Sequence, residues 1–499
     1  EQAQAGAWLG AEPAVRGGYR EDGALVSGQP GVDGPCGQQR VREVLRADVQ
    51  GKIASMQLIL LSGGSGKRLW PLSNDVRSKQ FLRLLESPDG ELESMIQRVV
   101  RQIGESGLPA SITFATNAVQ RDSIINQFGE GHDIVMEPER RDTFPAIALA
   151  SGYLSLEKGC GDDEVVVVMP CDVYTDSGYF KTVSRMAEAV RAGAGDIVLM
   201  GIRPGCPSEK FGYIVPEGTG EVMRVARFTE KPDHDRAVEL LEQGAMWNGG
   251  VFAFRLGYIR RLVEKYVPVS SFEELRGRYG ELPKISFDYE VVEKAENVAV
   301  VPFSGKWKDL GTWNALTEEL SDDHLGNVLM GDHNENTNVV NELGLPLVCD
   351  GLKDVVVAAS PDGILVCSRD RSEHIKDYVG KLASRPMYEE RSWGTYRILN
   401  TQTYPDGTES LTKTLTIKAG MVISCLPHND KSVVWTIVDG EGEFVLDGES
   451  RAVRRGDVLN IPEGHCYGLR ATASGLTLIE VQIGSPLEDE DIERIDLTW

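Results

Sequence analysis

The chain of 499 residues is long enough for more than one domain, and its hydrophobic content of 41% is ordinary for a globular protein. Its net charge of −24 argues against nucleic acids and anionic membranes as partners, and no apolar run approaches the roughly 20 residues of a membrane-spanning helix. The eight cysteines contain no C-x-x-C pair, so we expect reduced thiols and a cytoplasmic protein rather than a disulfide framework or a zinc site.

Residues 1–55 differ in texture from the rest of the chain. They are rich in Gly, Ala, Glu and Arg, and they contain neither an apolar signal-peptide core nor a periodic hydrophobic pattern. We expect a disordered extension here. A translation start at Met56, directly before the first predicted strand, is the alternative.

A glycine-rich loop follows that first strand, which is predicted at 57–61. The loop reads Ser62, Gly63, Gly64, Ser65 and Gly66, followed by Lys67, Arg68 and, further on, Lys79. Without Cβ atoms, the backbone N–H groups of such a turn can approach phosphate oxygens, whose charge nearby cations neutralise. The spacing excludes a Walker A loop, because Leu61 stands where its first Gly belongs, and a Rossmann G-x-G-x-x-G loop, because Leu69 replaces the last Gly.

Between residue 56 and about residue 320, short apolar runs alternate with longer amphipathic ones. Strands are predicted at 57–61, 111–115, 133–136, 164–169 and 196–201. Helices are predicted at 91–103, 118–128, 144–157 and 178–192. This alternation indicates an α/β fold with a mixed, mostly parallel, Rossmann-like sheet, whose ligand site lies at the carboxyl ends of the strands.

Charged residues follow two of these strands. Five of them crowd into 137–142 after the third strand, and a loop capped by Thr143 before a helix near Pro145 does not explain that crowd. Asp172 follows the fourth strand, where a carboxylate aimed into the crevice can bind Mg²⁺ through hard oxygen ligands. As a helix N-cap, Asp172 would lie too far upstream of the helix near Ser177.

The pattern GGSGKRLWPLS, followed by Lys79-Gln80-Phe81, resembles the sugar-1-phosphate nucleotidyltransferases. Within them it is similar to the mannose-1-phosphate guanylyltransferases that carry a C-terminal cupin domain. The resemblance covers roughly 56–484 and is strongest before about residue 320. One departure is the segment Pro170-Cys171-Asp172-Val173, where relatives usually show P-A-D-H.

The resemblance implies site residues, position by position. It assigns nucleotide binding to Ser62, Gly63, Gly64, Gly66, Lys67, Glu137, Arg141, Asp142 and Thr143. It assigns sugar and sugar-phosphate binding to Gly212, Tyr213, Glu230, Lys231, Asn248 and Gly249, and a structural or sugar-side role to Asp288. In the W-x-D-x-G-x-W motif at 307–313, it makes Asp309 the second metal-binding carboxylate beside Asp172.

The reaction that these parts can catalyse needs no activated side chain. A sugar 1-phosphate brings its own anionic nucleophile to the α-phosphorus of a nucleoside triphosphate, and none of the seven histidines lies in the motifs. We therefore expect Arg68 and Lys79 to neutralise the phosphates, and Asp172 and Asp309 to hold Mg²⁺ between the substrates. The expected reaction is GMP transfer from GTP to mannose 1-phosphate, giving GDP-mannose and pyrophosphate.

Guanine and mannose are implied by the resemblance alone, so three alternatives stay open. The chain could be another sugar-1-phosphate nucleotidyltransferase, a bifunctional enzyme that also isomerises mannose 6-phosphate, or a sensor that binds sugar nucleotides without turnover.

The C-terminal third changes texture. We expect a nucleotidyltransferase domain at 56–320, a polar linker (322–338) and a small β-helix-like connector within 321–385, a cupin barrel at 386–484 and an acidic tail at 485–499. A homodimer formed through the C-terminal domains is a further expectation.

The cupin motif lacks most of its metal ligands. In bifunctional relatives Gln, His and Glu side chains hold the metal of the isomerase. Here His428 matches one His, whereas Leu426, Asp430, Val433 and Tyr467 stand at the Gln, second His, Glu and late His positions. Leu and Val cannot bind metal, so we predict a degenerate barrel that supports the fold or dimerisation. A site formed by His428 and His465 stays open.

Overall fold

The structure is a computed structural model, and it describes residues 56–64, 67–382, 385–425, 430–485 and 487. The predictions for residues 1–55, Gly66, Leu426, His428 and the tail beyond residue 487 lie outside these ranges. Among the residues that are described, no helix has the length and apolar character needed to cross a membrane.

The first part of the described chain alternates strands and helices, as predicted. Its strands are β1 (Met56–Leu61), β2 (Arg83–Glu86), β3 (Leu92–Ser94), β4 (Ala110–Asn117), β5 (Asp133–Glu137), β6 (Val165–Pro170), β7 (Val173–Thr175), β8 (Ile197–Ile202), β9 (Tyr213–Glu217), β10 (Met223–Thr229), β11 (Met246–Arg255), β12 (Val298–Phe303) and β13 (Trp307–Asp309). Its α-helices are α1 (Met95–Glu105), α2 (Arg121–Phe128), α3 (Thr143–Gly152), α4 (Gly178–Arg191), α5 (His234–Glu242), α6 (Leu256–Tyr266), α7 (Phe272–Gly277) and α8 (Trp313–Thr317).

A mixed nine-stranded sheet forms the centre, with the order β5-β4-β1-β6-β11-β8-β12-β10-β9. Strand β1 is parallel to β4 and β6, and β8 is parallel to β12, whereas β11 runs antiparallel between β6 and β8. The continuous valines of β6 are fully buried, because helices cover both faces of the sheet. The α/β fold with a mixed sheet predicted from the sequence is therefore confirmed. The sheet is not mostly parallel, because four of its strand pairings are parallel and five are antiparallel.

The helix boundaries differ from the predicted ones for local reasons. The helix predicted from residue 91 begins at Met95, because Leu92–Ser94 pairs with β2 and Ser94 then forms a capping box with Gln97. The helix predicted at 118–128 opens with a 3₁₀ turn, and α3 passes into a π-helical turn at 153–157.

The predicted N-cap of α3 was also wrong. Asp142, not Thr143, occupies this position, and its Oδ1 accepts a 2.7 Å hydrogen bond from the N–H of Thr143, the first helical residue. A carboxylate at the N-cap also interacts favourably with the positive end of the helix dipole.

The connector consists of short strands and a short helix. They are β14 (His324–Gly326), β15 (Val328–Met330), β16 (Asn338–Asn341), β17 (Leu347–Cys349), β18 (Val355–Ser360), β19 (Gly363–Ser368) and α9 (Ile375–Val379). Strand β14 pairs in parallel with β16, and β15 with β17. The polar linker predicted at 322–338 therefore contains two strands. Their polar local sequence does not predict strands, because they are stabilised by pairing with strands further along the chain.

The last strands form an eight-stranded sheet around a core of their own. They are β20 (Tyr388–Arg391), β21 (Gly394–Thr403), β22 (Glu409–Ile417), β23 (Val422–Cys425), β24 (Lys431–Leu446), β25 (Glu449–Arg454), β26 (Val458–Ile461) and β27 (Tyr467–Gly484). Trp435 lies fully buried in this core, with its ring centroid 5.2 Å from that of Tyr467.

Candidate active site

The glycine loop is anchored to the end of β1 by its own polar groups. The N–H and hydroxyl of Ser62 donate to the carbonyl of Ala115 on β4 at 2.9 and 3.1 Å. The side-chain amide of Gln80 donates to the carbonyl of Ser62, and that of Gln120 donates to the carbonyl of Gly64 at 3.0 Å. Two amide side chains thus fix the loop carbonyls, while among the described residues the N–H groups of Gly63 and Gly64 have no backbone partner.

The two cations directly after the loop lie in a 3₁₀ turn at 67–69. The ammonium of Lys67 forms a 2.6 Å ion pair with Asp75, whereas the side chain of Arg68 is exposed to solvent. Arg68 is therefore accessible to an anionic ligand, and Lys67 would first have to exchange its carboxylate partner.

Asp172 and Asp309 come together through a two-stranded ribbon. Asp172 lies between β6 and β7, Asp309 ends β13, and β13 pairs antiparallel with β7 so that Asp309 is opposite Val173. The N–H of Leu310 also donates to the carbonyl of Asp172 at 3.4 Å. The structure therefore brings the two acids close together, as predicted.

Lys79 lies between these two carboxylates. Its ammonium is 2.7 Å from Asp172 Oδ2 and 3.4 Å from Asp309 Oδ1. Burial lowers the pKa of Lys79, but attraction and hydrogen bonding to the two carboxylates outweigh it and raise the pKa above its usual value. Lys79 therefore stays charged at neutral pH, beside two acids whose side chains remain 31% and 41% exposed.

Gln120 links the glycine loop to Lys79, and sequence reasoning missed it. Besides the carbonyl of Gly64, its amide contacts the hydroxyl of Ser78, the N-cap residue of the 3₁₀ turn at 79–81. Its Oε1 accepts from the Thr116 hydroxyl at 3.1 Å, and the side chain is fully buried. The only signal in the sequence is its place shortly after the carboxyl end of β4.

Glu137 faces the glycine loop from the end of β5. A Cβ placed on Gly63 would lie 3.0 Å from Glu137 Oε1, so this close approach favours glycine. The hydroxyl of Tyr279 donates to Glu137 Oε2 at 2.6 Å. Burial raises the pKa of Glu137 to about 7, although the Tyr279 hydrogen bond opposes that rise. No sequence motif pointed to Tyr279, because it lies 142 residues away from Glu137 in the chain.

The next three predicted residues hold the loop after β5 in place. The guanidinium of Arg141 contacts Glu139 at 2.8 Å and donates to the carbonyl of Leu282 at 3.0 Å. Asp142 caps α3 with a φ of 76°, and the Thr143 hydroxyl accepts from the N–H of Phe287 at 2.8 Å. Their contacts are structural, and their predicted role in nucleotide binding stays a prediction.

The predicted sugar residues gather around Asn248. Its N–H donates to the carbonyl of Gly212 at 2.7 Å, and its amide donates to Asp288 Oδ1 at 2.6 Å. The carboxylate of Glu230 forms a 3.0 Å ion pair with Lys231. The same carboxylate lies so close to Gly212 that a side chain at position 212 would collide with it. Burial, reinforced by the charge of Glu230, raises the pKa of Asp288 to about 7.

Two predicted sugar residues are placed differently. The side chain of Tyr213 is fully buried, and its hydroxyl donates to the carbonyl of Ser208 at 3.0 Å and accepts from its N–H at 2.8 Å. A Cβ on Gly249 would lie 3.0 Å from the side chain of Ile202. These contacts leave the Tyr213 hydroxyl committed to the protein and explain the glycine at 249 by packing.

Comparison with known proteins identifies the family of this arrangement. Residues 57–325 match the nucleotidyl transferase family model, and residues 383–497 match the model of the mannose-6-phosphate isomerase C-terminal domain. The chain belongs to the nucleotidyl transferase family. The site at the end of β1 is therefore the candidate active site of a transferase with a cupin-type C-terminal domain.

Relatives of this transferase share both parts. It is 30% identical to the alginate biosynthesis protein AlgA of Pseudomonas aeruginosa, over 88% of this chain and 96% of that one. It is 32% identical to the xanthan biosynthesis protein XanB of Xanthomonas campestris and 31% identical to a mannose-1-phosphate guanylyltransferase of Escherichia coli, in each case over 88% of this chain and 98% of the relative. A crystal structure described as a mannose-1-phosphate geranyltransferase from Thermus thermophilus covers 66% of this chain and all of its own, with 30% identity and a TM-score of 0.54.

In the C-terminal barrel of the transferase, other side chains occupy the positions that the cupin motif assigns to metal ligands. Val433 and Tyr467, which stand at two of them, are buried in the apolar core, and Asp430 is exposed. His465 is partly exposed and paired with Asp447. Within the described ranges, no three His, Cys, Asp or Glu side chains cluster to hold a metal ion.

Glu137→Gln should change the pH dependence of stability. Because the pKa of Glu137 rises from 4.5 to about 7 on folding, the folded state binds more protons than the unfolded state between these values, and the contribution of Glu137 to stability falls as the pH rises through this window. Urea unfolding from pH 4.5 to 8 should show the free energy of unfolding of the variant rising relative to that of the parent protein by up to about 3 kcal/mol, with the difference levelling off above about pH 7. A difference that stays constant across this range would contradict the assignment.

Proposed function

We propose that this transferase moves GMP from GTP to α-D-mannose 1-phosphate, giving GDP-mannose and pyrophosphate. The observation that carries the proposal is the position of Lys79 between Asp172 and Asp309, beside the glycine loop. The E. coli relative, which bears the name of this activity, aligns over 88% of the chain. The catalytic roles below are proposals that this geometry supports.

The side chains act by positioning and by neutralising charge. The sugar phosphate supplies the attacking oxygen, so the protein must bring it in line with the α-phosphorus and stabilise the leaving pyrophosphate. We assign the backbone N–H groups of the glycine loop and the exposed Arg68 to the triphosphate. Lys79, fixed between two carboxylates, lies ready to donate hydrogen bonds to a phosphate oxygen as charge develops.

The donor set of the site fits Mg²⁺. Asp172 and Asp309 offer hard carboxylate oxygens that already converge on one cation, and both stay partly exposed. Mg²⁺ in enzymes is usually bound by one or two carboxylates together with substrate phosphates, so two acids are sufficient. When bound there, Mg²⁺ would supply Lewis-acid neutralisation of the phosphate oxygens.

The remaining predicted site residues divide into a nucleotide side and a sugar side. Glu137 and the loop after it face the nucleotide side, and the cluster around Asn248, including Glu230, Lys231 and Asp288, takes mannose 1-phosphate.

The proposed domain limits are 56–320, 321–385 and 386–484. A homodimer through the C-terminal domains stays a prediction. An isomerase activity is not proposed, because Val433 and Tyr467 fill two ligand positions with apolar packing.

A pyrophosphate-release assay over a grid of nucleoside triphosphates and hexose 1-phosphates, with Mg²⁺ present, tests the proposal. GTP with mannose 1-phosphate should give the highest kcat/KM. A higher value for another pair would replace the base or the sugar, and binding of both substrates without pyrophosphate release would favour the sensor alternative.

Lys79→Ala and Asp309→Asn should each lower kcat by about 100-fold or more, because Lys79 is proposed to neutralise the reacting phosphates and Asp309 to hold Mg²⁺ beside them. The assay is pyrophosphate release at saturating substrates, with circular dichroism to check the fold. Lys353→Ala provides the control, since the exposed pair of Lys353 with Glu335 lies in the connector. Turnover close to that of the parent protein in either variant would remove its residue from the proposed mechanism.

Gln120→Met should raise the KM for GTP about tenfold and leave the KM for mannose 1-phosphate unchanged, because it frees the carbonyl of Gly64 and the hydroxyl of Ser78. Steady-state kinetics with each substrate varied in turn measures both constants. The matched control is Gln127→Met. Gln127 is equally buried and its amide donates to the carbonyl of Phe81 at 2.9 Å, but it does not contact the glycine loop. Equal effects of the two variants would mean that only general stability is lost.

A further inference from the structure

The segment between Arg68 and Lys79 is held by residues from the later part of the chain. We define residues 70–77 as the bridge segment. Side chains from beyond β13 contact it along its length. The Trp313 indole donates to the carbonyl of Trp70 at 3.0 Å, and the Ser360 hydroxyl donates to the carbonyl of Pro71 at 2.6 Å. Asn74 donates to Asp362 at 2.7 Å, and Arg77 pairs with Glu342.

Apolar packing adds to these contacts. Leu69 and Leu72, at the two ends of the turn after the glycine loop, share one buried cluster with Val340 of β16 and Val356 of β18. Gly363 of β19 approaches the ring of Trp70 so closely that a Cβ there would lie 2.6 Å from the indole. Most of the bridge segment is thus packed against the connector, whereas Asp75 is exposed to solvent.

Arg77 makes the strongest of these contacts. Its two terminal nitrogens donate to the two oxygens of Glu342 at 2.7 and 3.0 Å, and its side chain is only 14% exposed. Glu390 of β20, in the C-terminal sheet, lies 4.0 Å from the same guanidinium, which also lies over the ring of Tyr388 at 5.4 Å. A bidentate guanidinium–carboxylate pair fixes direction as well as distance, so it defines where Arg77 lies.

The backbone transmits the position of Arg77 to Lys79. The Asn74 side-chain oxygen accepts from the N–H groups of Val76 and Arg77 at 2.9 and 2.7 Å, and the N–H of Asn74 donates to the carbonyl of Arg77 at 2.9 Å. This closed turn leads directly into Ser78 and the 3₁₀ turn that carries Lys79. A shift of Arg77 would therefore move the base of the Lys79 side chain.

We propose that the connector and the cupin-type barrel are positioning elements of the transferase site: through Glu342 and Glu390 they hold Arg77, and Arg77 sets Lys79 against Asp172 and Asp309. Arg77 is thus a positioning residue. This role gives the barrel a function that needs no metal ligands. The inference rests on the proposed role of Lys79.

The test compares Glu342→Gln and Glu390→Gln in the full-length chain with the parent protein. Because displacement of a reacting group by about 1 Å can cost roughly 100-fold, Glu342→Gln should lower kcat by about 10- to 100-fold, and Glu390→Gln, at the longer distance, by less. The KM for mannose 1-phosphate should not change, since its proposed cluster does not contact the bridge segment. Glu335→Gln is the matched control: it removes the same charge from the connector, but at the exposed pair with Lys353, and it should leave turnover unchanged.

A double-mutant cycle separates positioning from general stability. In a Lys79→Ala background, Glu342→Gln should cause no further loss of kcat, because the group that it positions is gone. An equal loss with and without Lys79 would overturn the inference, as would full activity of Glu342→Gln in an active parent protein. Absence of pyrophosphate release from the parent protein would instead overturn the proposed function, and the inference would fall with it.

Discussion

The structure depends on one arrangement of charges, in which the ammonium of Lys79 lies between the carboxylates of Asp172 and Asp309. Two neighbouring carboxylates repel each other, so a cation between the two acids stabilises the pair. Lys79 supplies this cation, and the residues of the proposed nucleotide site lie around Lys79. The same arrangement suits catalysis, because it concentrates cationic charge beside an acid pair in an otherwise acidic protein.

Three separate parts of the fold bring these charges together. The ribbon of β7 and β13 brings the two acids into register, Gln120 joins the glycine loop to the turn that carries Lys79, and the connector holds the segment that precedes it. The contact of Gln120 with Ser78 is buried and that of Arg77 with Glu342 is partly buried, and a buried polar group that loses its partner costs more than an average hydrogen bond contributes. We therefore expect the site to respond to changes at residues that do not contact a substrate.

The C-terminal barrel keeps the architecture of its family domain, while Val433 and Tyr467 fill two of the predicted metal-ligand positions with packed core side chains. Its interior is closed by its own side chains: the indole of Trp435 donates to Glu480 at 2.7 Å, and the amide of Gln482 donates to the same carboxylate at 2.9 Å. Such a satisfied polar group stabilises a core without a ligand. The proposed positioning role of the barrel rests on its contacts with Arg77, through Glu390 and Tyr388.

The sequence by itself determined five of the nine strands of the central sheet, the glycine loop and the identities of the two acids, because apolar runs, turn residues and short motifs are local properties. Asp172 and Asp309 were recognisable from their motifs, and the structure places them together. Only the tertiary structure decided which distant groups support them. The short strands β14 and β15 in a polar segment, the hydroxyl of Tyr279 on Glu137, the amide of Gln120 and the pairing of Arg77 with Glu342 all depend on partners far away in the chain, so no local pattern of residues could have revealed them.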